Sequence, residues 1–138
     1  MSDHSSHMTA VIEAFNAGDW DEFRGLVPDS TVYVEIASGR TVQGDAYLDL
    51  LKGWREAFPD MSGEITTLVE SGDVGVAEIT WTGTQTGTLV GPDGSTVPPS
   101  GGVLNAPAAM VNHYDGGTLT RVSHYFDLLT LLRQVGAA

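Results

Sequence analysis

The chain has 138 residues, 41% hydrophobic and 17% charged, enough for one compact domain that buries roughly two-thirds of its unfolded surface and too apolar for a charged disordered segment. Six basic and eighteen acidic side chains leave a formal charge of −12. That field repels phosphate backbones and anionic lipid heads, so no nucleic-acid and no membrane partner is expected, and the lack of cysteine excludes disulfides, thiol nucleophiles and thiolate metal sites.

Residues 1–8 are polar, with no basic segment and no apolar stretch. They read as a disordered tail, not a signal peptide, and His4 and His7 carry no metal role in this reading. A single domain over 9–138 is expected to follow. No apolar run reaches the about 18 residues of a membrane helix, so a cytoplasmic protein is expected.

Thr9 is positioned to cap a helix over 9–17, with Val11, Ile12 and Phe15 on one face and Gly18 ending it. Asp19 restarts a short helix carrying Trp20, Phe23 and Leu26, stopped near Pro28. Residues 31–36 alternate and are rich in β-branched and aromatic side chains, which predicts a strand. A stronger helix opens at Gly44-Asp45 with Asp45 as its cap; Tyr47, Leu48, Leu51, Trp54, Arg55 and Phe58 follow at spacings of three and four.

From Ser62 the period changes to two. Strands are predicted over 64–70, 74–86, 103–114 and 118–126, with tight turns at Ser71-Gly72-Asp73 and Asp115-Gly116-Gly117. Ala77, Ile79 and Trp81 share one strand face. Residues 87–102 hold five glycines and three of the six prolines and read as a long flap within the same domain. A short helix over 128–135 closes the chain. This order predicts an α+β protein: a cone-shaped, curved antiparallel sheet packed against three N-terminal helices, with a mostly apolar hollow between the layers for a small ligand.

The sequence contains no phosphate-cradling glycine loop, no Gly-x-Ser-x-Gly elbow and no His-x-x-x-His pair. Proton transfer by Asp, Glu, His or Tyr remains. Asp127 stands between an aromatic strand end and the apolar Leu128, Leu129, Leu131 and Leu132. Turned inward, it would be a carboxylate with a raised pKa, suited to general acid/base work; turned outward, it caps the last helix. Both readings stay open. His113, on the preceding strand, is either its cavity partner or an edge residue. His124, of opposite parity to Asp127, is expected to face away. Tyr33, Trp54, Phe58, Trp81, Met110 and Tyr125 are candidates for the cavity wall or for ordinary core, and Arg121 reads as a surface cation.

Several pieces together carry a family resemblance: Phe58-Pro59-Asp60 after the long helix, Gly72-Asp73 in the next turn, Thr82-Gly83-Thr84-Gln85-Thr86-Gly87, Pro98-Pro99-Ser100-Gly101, and Tyr125-Phe126-Asp127-Leu128-Leu129 running on to Leu131-Leu132-Arg133-Gln134-Val135-Gly136. In this order the chain resembles the SnoaL-like polyketide cyclases of the nuclear transport factor 2-like superfamily. The resemblance implies a cone-shaped α+β barrel, dimeric or tetrameric, working without metal or organic cofactor. It implies intramolecular aldol closure of a hydrophobic polyketide-like substrate in natural-product biosynthesis, with Asp127 as general acid/base and His113 beside it. The superfamily also holds ketosteroid isomerases, epoxide hydrolases, dehydratases and non-enzymatic binders, which are the alternatives here. The chain departs from the family pattern at Gln85, where a histidine is common, at Arg121 and Ser123, where Glu and Trp are usual, and in a flap lengthened through Gly91-Pro92-Asp93-Gly94.

Overall fold

The computed structural model describes residues 3–138. Helix α1 runs Asp3–Ala17, so the segment expected to be a tail is helical from residue 3; residues 1 and 2 lie outside the described residues. Tertiary contacts explain the difference. The His7 ring bridges Tyr114 Oη (2.9 Å) and the Leu26 carbonyl (2.7 Å), and His4 stacks on Tyr114 at 4.0 Å between ring centroids. Thr9 is therefore mid-helix, its hydroxyl donating back to the Ser5 carbonyl, and caps nothing.

Helix α2 (Trp20–Leu26) begins at Asp19, whose carboxylate accepts from the Glu22 N–H as expected of a cap. Helix α3 (Asp45–Ala57) is capped by Gly44 at φ +61°, a backbone region open to glycine, and not by Asp45. Asp45 instead forms an exposed ion pair with Arg24 at 3.3 Å.

The strands are β1 (Val32–Glu35), β2 (Arg40–Gln43), β3 (Ser62–Ser71), β4 (Val74–Thr84), β5 (Leu89–Val90), β6 (Thr96–Val97), β7 (Val103–Asp115) and β8 (Thr118–Phe126), followed by helix α4 (Leu128–Gln134). Six of them form one sheet in the order β2-β1-β8-β7-β4-β3. The sheet is mixed and not wholly antiparallel, because β1 pairs parallel with β8. More than eighty residues separate these two strands, so no hairpin turn dictates their relative direction. Register shifts between Ile65 and Thr67 and between His113 and Tyr114 add the curvature of an α+β cone.

Alternation fixes the inner face: Ala77, Ile79 and Trp81 on β4, Leu104, Ala106 and Ala108 on β7, Val122 and His124 on β8 are all buried. Helix α1 covers β3 and β4, while Phe23 of α2 and Tyr47, Leu48 and Leu51 of α3 complete the core.

The flap holds the separate β5–β6 hairpin. Gln85, fully buried, staples its base. Its amide donates to the carbonyls of Gly87, Val97 and Pro98 at 3.1–3.2 Å and accepts from the Ser100 hydroxyl at 2.7 Å. Its main chain is bonded to Gly101 and Gly102. Buried polar groups left without partners are costly, so the staple holds local opening in check. Replacing Gln85 by alanine should raise the rate of proteolytic cutting within residues 91–94 about tenfold. Unchanged cutting would remove the staple role.

Candidate active site

A cavity of about 830 Å³, its open mouth included, lies between the helices and the inner face of the sheet. Most of its wall is apolar, with Ile12, Phe15, Leu51, Ile79 and Phe126 among the lining side chains. Among the described residues that line it, only Tyr33, Tyr47, Trp54, Trp81, Asn112 and His124 have side chains with a nitrogen or oxygen atom, and none is Asp or Glu.

Asp127 is not in the cavity. It is exposed, and its carboxylate accepts from the Thr130 N–H (3.0 Å) and the Thr130 hydroxyl (2.7 Å), capping α4. The Thr130 backbone hydrogen bond holds its pKa below the usual carboxylate value, opposite to the rise a buried general acid needs. His113 is also exposed, on the outer face of β7, opposite Arg121. The expected Asp127–His113 pair is thus replaced by a cap and an edge residue. Asp127→Ala should lower stability, as cap removal does, while leaving ligand affinity in the cavity unchanged; a loss of affinity in calorimetric titration would restore Asp127 to the site.

Parity is the reason. On β8 the inward set is Val122, His124 and Phe126, so Tyr125, at 46% exposure, points outward with Asp127. Of the expected lining residues, Tyr33, Trp54, Trp81 and Met110 do line the cavity. Phe58 is fully buried but packs behind Trp54, off the cavity wall, and Tyr125 is outside. Arg121 is exposed, its Nε donating to the Ser123 hydroxyl.

His124, expected to face away, is the residue the fold brings to the centre. Tyr33 Oη lies 2.7 Å from His124 Nδ1, and Trp81 Nε1 donates to His124 Nε2 at 3.2 Å. Pairing of β1 with β8 brings Tyr33 and His124 together, and Gly63 makes room for Trp81. A Cβ at Gly63, its partner across β3–β4, would meet the indole at 2.6 Å. Burial lowers the His124 pKa to about 3, and burial followed by the Glu35 charge raises that of Tyr33 well above its ordinary value. Both groups are neutral at pH 7.

The proton positions follow from donor inventory. An indole N–H can only donate, so His124 Nε2 is the bare nitrogen. Nδ1 of the neutral ring then carries the hydrogen and donates to Tyr33 Oη. The Tyr33 hydroxyl hydrogen is left without a protein acceptor, at the end of a chain running Trp81 to His124 to Tyr33. Each bond in such a chain polarises the next. The site therefore offers a strengthened O–H donor in a hollow lined mainly by hydrocarbon.

A family model for SnoaL-like polyketide cyclases matches residues 5–135. The chain belongs to that family. Among solved structures it is similar to TsrD from Streptomyces laurentii (24% identity, TM-score 0.82, covering 99% of this chain and 96% of that one). It is also similar to IdmH from Streptomyces antibioticus (23%, 0.80, 96% and 97%) and AclR from Streptomyces galilaeus (20%, 0.81, 96% and 80%). At these identities the likeness is one of fold. No curated protein matches the chain. No helix among the described residues is long and apolar enough to cross a membrane.

Proposed function

We propose that this protein is a cyclase-type enzyme that binds a hydrophobic polyketide-like carbonyl compound in the cone and closes a ring by an aldol step. The observation that carries the reading is the Tyr33 hydroxyl, 2.7 Å from His124 Nδ1 and backed through that ring by Trp81, inside an apolar cavity. Family membership supports the reaction class, and IdmH is itself described as a candidate polyketide cyclase.

In this reading the folded chain places an enol carbon against a second carbonyl carbon. The enclosing wall contributes effective molarity, a large part of what a ring closure needs. As the carbon–carbon bond forms, charge develops on the attacked carbonyl oxygen. Tyr33 donates to that oxygen, where a dry, fixed donor is worth far more than one in water. The enol oxygen loses one proton and the new alkoxide gains one. The reaction is proton-neutral overall and needs no carboxylate base, which fits a wall without Asp or Glu. His124 acts through Tyr33 as a positioning residue: with its pKa held down, it stays a neutral Nδ1–H donor.

An isomerase that shifts a double bond through an enol would use the same donor, and the products distinguish the two. Purified protein incubated with synthetic linear triketide and tetraketide esters should give cyclic products faster than buffer does, and Tyr33→Phe should cut that acceleration about 10²- to 10³-fold. Acceleration kept within about twofold of wild type in Tyr33→Phe would defeat the assignment.

A further inference from the structure

Two residues of the cavity face each other across one row of the sheet. Tyr33 on β1 and Asn112 on β7 are both register partners of Val122 on β8, and all three are inward. Two strand spacings put their Cα atoms about 9.5 Å apart, with the floor of the cavity between them.

Asn112 is buried, at 4% exposure, and its Oδ1 has no hydrogen-bond partner. A buried polar atom without a partner is rare in a folded protein and marks a place where something else is meant to bind. Reversing the amide would not repair it. The Leu26 carbonyl can only accept, so the His7 nitrogen 2.7 Å from it, Nε2, carries a hydrogen. In the neutral ring Nδ1 is then an acceptor, and the Tyr114 hydroxyl 2.9 Å away donates to it. Tyr114 Oη is left as an acceptor, which calls for an N–H. Asn112 lies two residues from Tyr114 on the same buried face of β7, and its side chain pulls down the Tyr114 pKa that burial raises, the effect of amide hydrogens turned toward that oxygen. The carbonyl oxygen is then the atom left without a partner.

The cavity thus presents an unpaired donor, the Tyr33 hydroxyl, facing an unpaired acceptor, Asn112 Oδ1. The donor is held by a chain anchored on the Trp81 indole N–H, which cannot reverse its role; Asn112 neighbours Tyr114, whose own chain through His7 ends on the Leu26 carbonyl. We infer that Asn112 determines specificity, by accepting a hydrogen bond from a hydroxyl that the ligand carries across a six-membered ring from its carbonyl. The ligand class is a hydroxylated cyclic or ring-forming ketone, held at both ends. The inference rests on the cavity reading proposed above, in which Tyr33 holds the carbonyl.

The test uses three bicyclic ketones of nearly equal shape: 1-tetralone, 6-hydroxy-1-tetralone and 6-methoxy-1-tetralone. Their dissociation constants are measured by calorimetry on the full chain, as wild type, Asn112→Leu and Tyr33→Phe. In the wild type the hydroxy compound should bind about tenfold tighter than the other two, the contribution of one well-formed buried hydrogen bond. Asn112→Leu should bring that ratio close to one, whereas Tyr33→Phe should weaken all three ligands alike and keep the ratio. Equal wild-type affinities, a measurement that needs no variant, overturn the inference, and so does a ratio that persists in Asn112→Leu. A ratio that depends on Asn112 while Tyr33→Phe weakens nothing leaves the Asn112 inference standing and removes the carbonyl role of Tyr33. No binding by any of the three at millimolar concentration overturns both.

Discussion

Taking the protein from pH 6.5 down to pH 4.5 should cost about 3 kcal/mol of folding stability through His124 alone. The buried imidazole has a pKa of about 3, against about 6.5 for the same ring in an unfolded chain. Between these values the unfolded state binds a proton that the folded state refuses. Stability is therefore complete above pH 6.5 and falls as the pH drops toward 3, by about 1.4 kcal/mol per unit. Over the whole window the loss approaches about 5 kcal/mol, a large share of what a domain of this size has.

Desolvation is the main cause, and the local geometry acts in the same direction. A proton on Nε2 would face the Trp81 N–H, setting two donors against each other where one hydrogen bond now stands. Asp127 and Asp60, whose pKa values hydrogen bonding holds below the ordinary carboxylate range, stay ionised down to about pH 4.5 and add little in this window. Urea unfolding at several pH values, with wild type beside His124→Gln, isolates the contribution. The wild-type curve should fall more steeply by about 3 kcal/mol across the two units, whatever the variant's stability at pH 7. Parallel curves would mean that the ring is solvated and that the Trp81–His124–Tyr33 chain is not formed as described.

Much of the architecture is legible in the residues, because period and punctuation carry it. The strand over 118–126 is found with those limits, the neighbouring strands within a few residues, and Ala77, Ile79 and Trp81 share the predicted face. What escapes is what tertiary contact decides. Residues 3–8 are polar and uncapped, yet His7 and Tyr114 make them helical. Strand β2 is four residues of mixed polarity, and the parallel β1–β8 pair has no local signature. Gln85 stands out as a departure from the family pattern, but its role as a staple depends on carbonyls twelve and thirteen residues away.

The misplaced active-site acid is a different matter, since its parity is written in β8. Arg121, Ser123, Tyr125 and Asp127 form one set, and Val122, His124 and Phe126 the other. A set with charge at both ends belongs outside, and the apolar set carrying a single histidine belongs inside. The apolar helix after Asp127 argues for burial only if an N-cap is overlooked, and the Thr130 N–H settles that competition. Asn112 gives no such signal, because an asparagine among apolar neighbours looks the same with its bonds made or missing.

Tyr33→Phe should lower the turnover of ring closure by about 10²- to 10³-fold, the usual cost of removing one fixed donor to a developing oxyanion, with a smaller rise in KM from the lost hydrogen bond to the bound carbonyl. The substitution takes away one oxygen and keeps the ring stacked on Tyr47 at 4.6 Å, so the wall keeps its shape. It also leaves the buried His124 Nδ1–H without an acceptor, which should cost about 1–3 kcal/mol more of stability. The two losses must be read apart, kinetics at a temperature where the variant is fully folded and stability by denaturation. His124→Gln supplies the contrast. It leaves the Tyr33 hydroxyl in place but removes the imidazole that polarises it, so turnover should fall by less than in Tyr33→Phe. A Tyr33→Phe enzyme that keeps turnover within twofold of wild type would show that charge develops elsewhere in the cavity. The side chain of Asn112, the hydroxyl of Tyr47 and the indole N–H of Trp54 would then be the remaining polar groups on the wall to examine, since Trp81 and His124 are already bonded to each other.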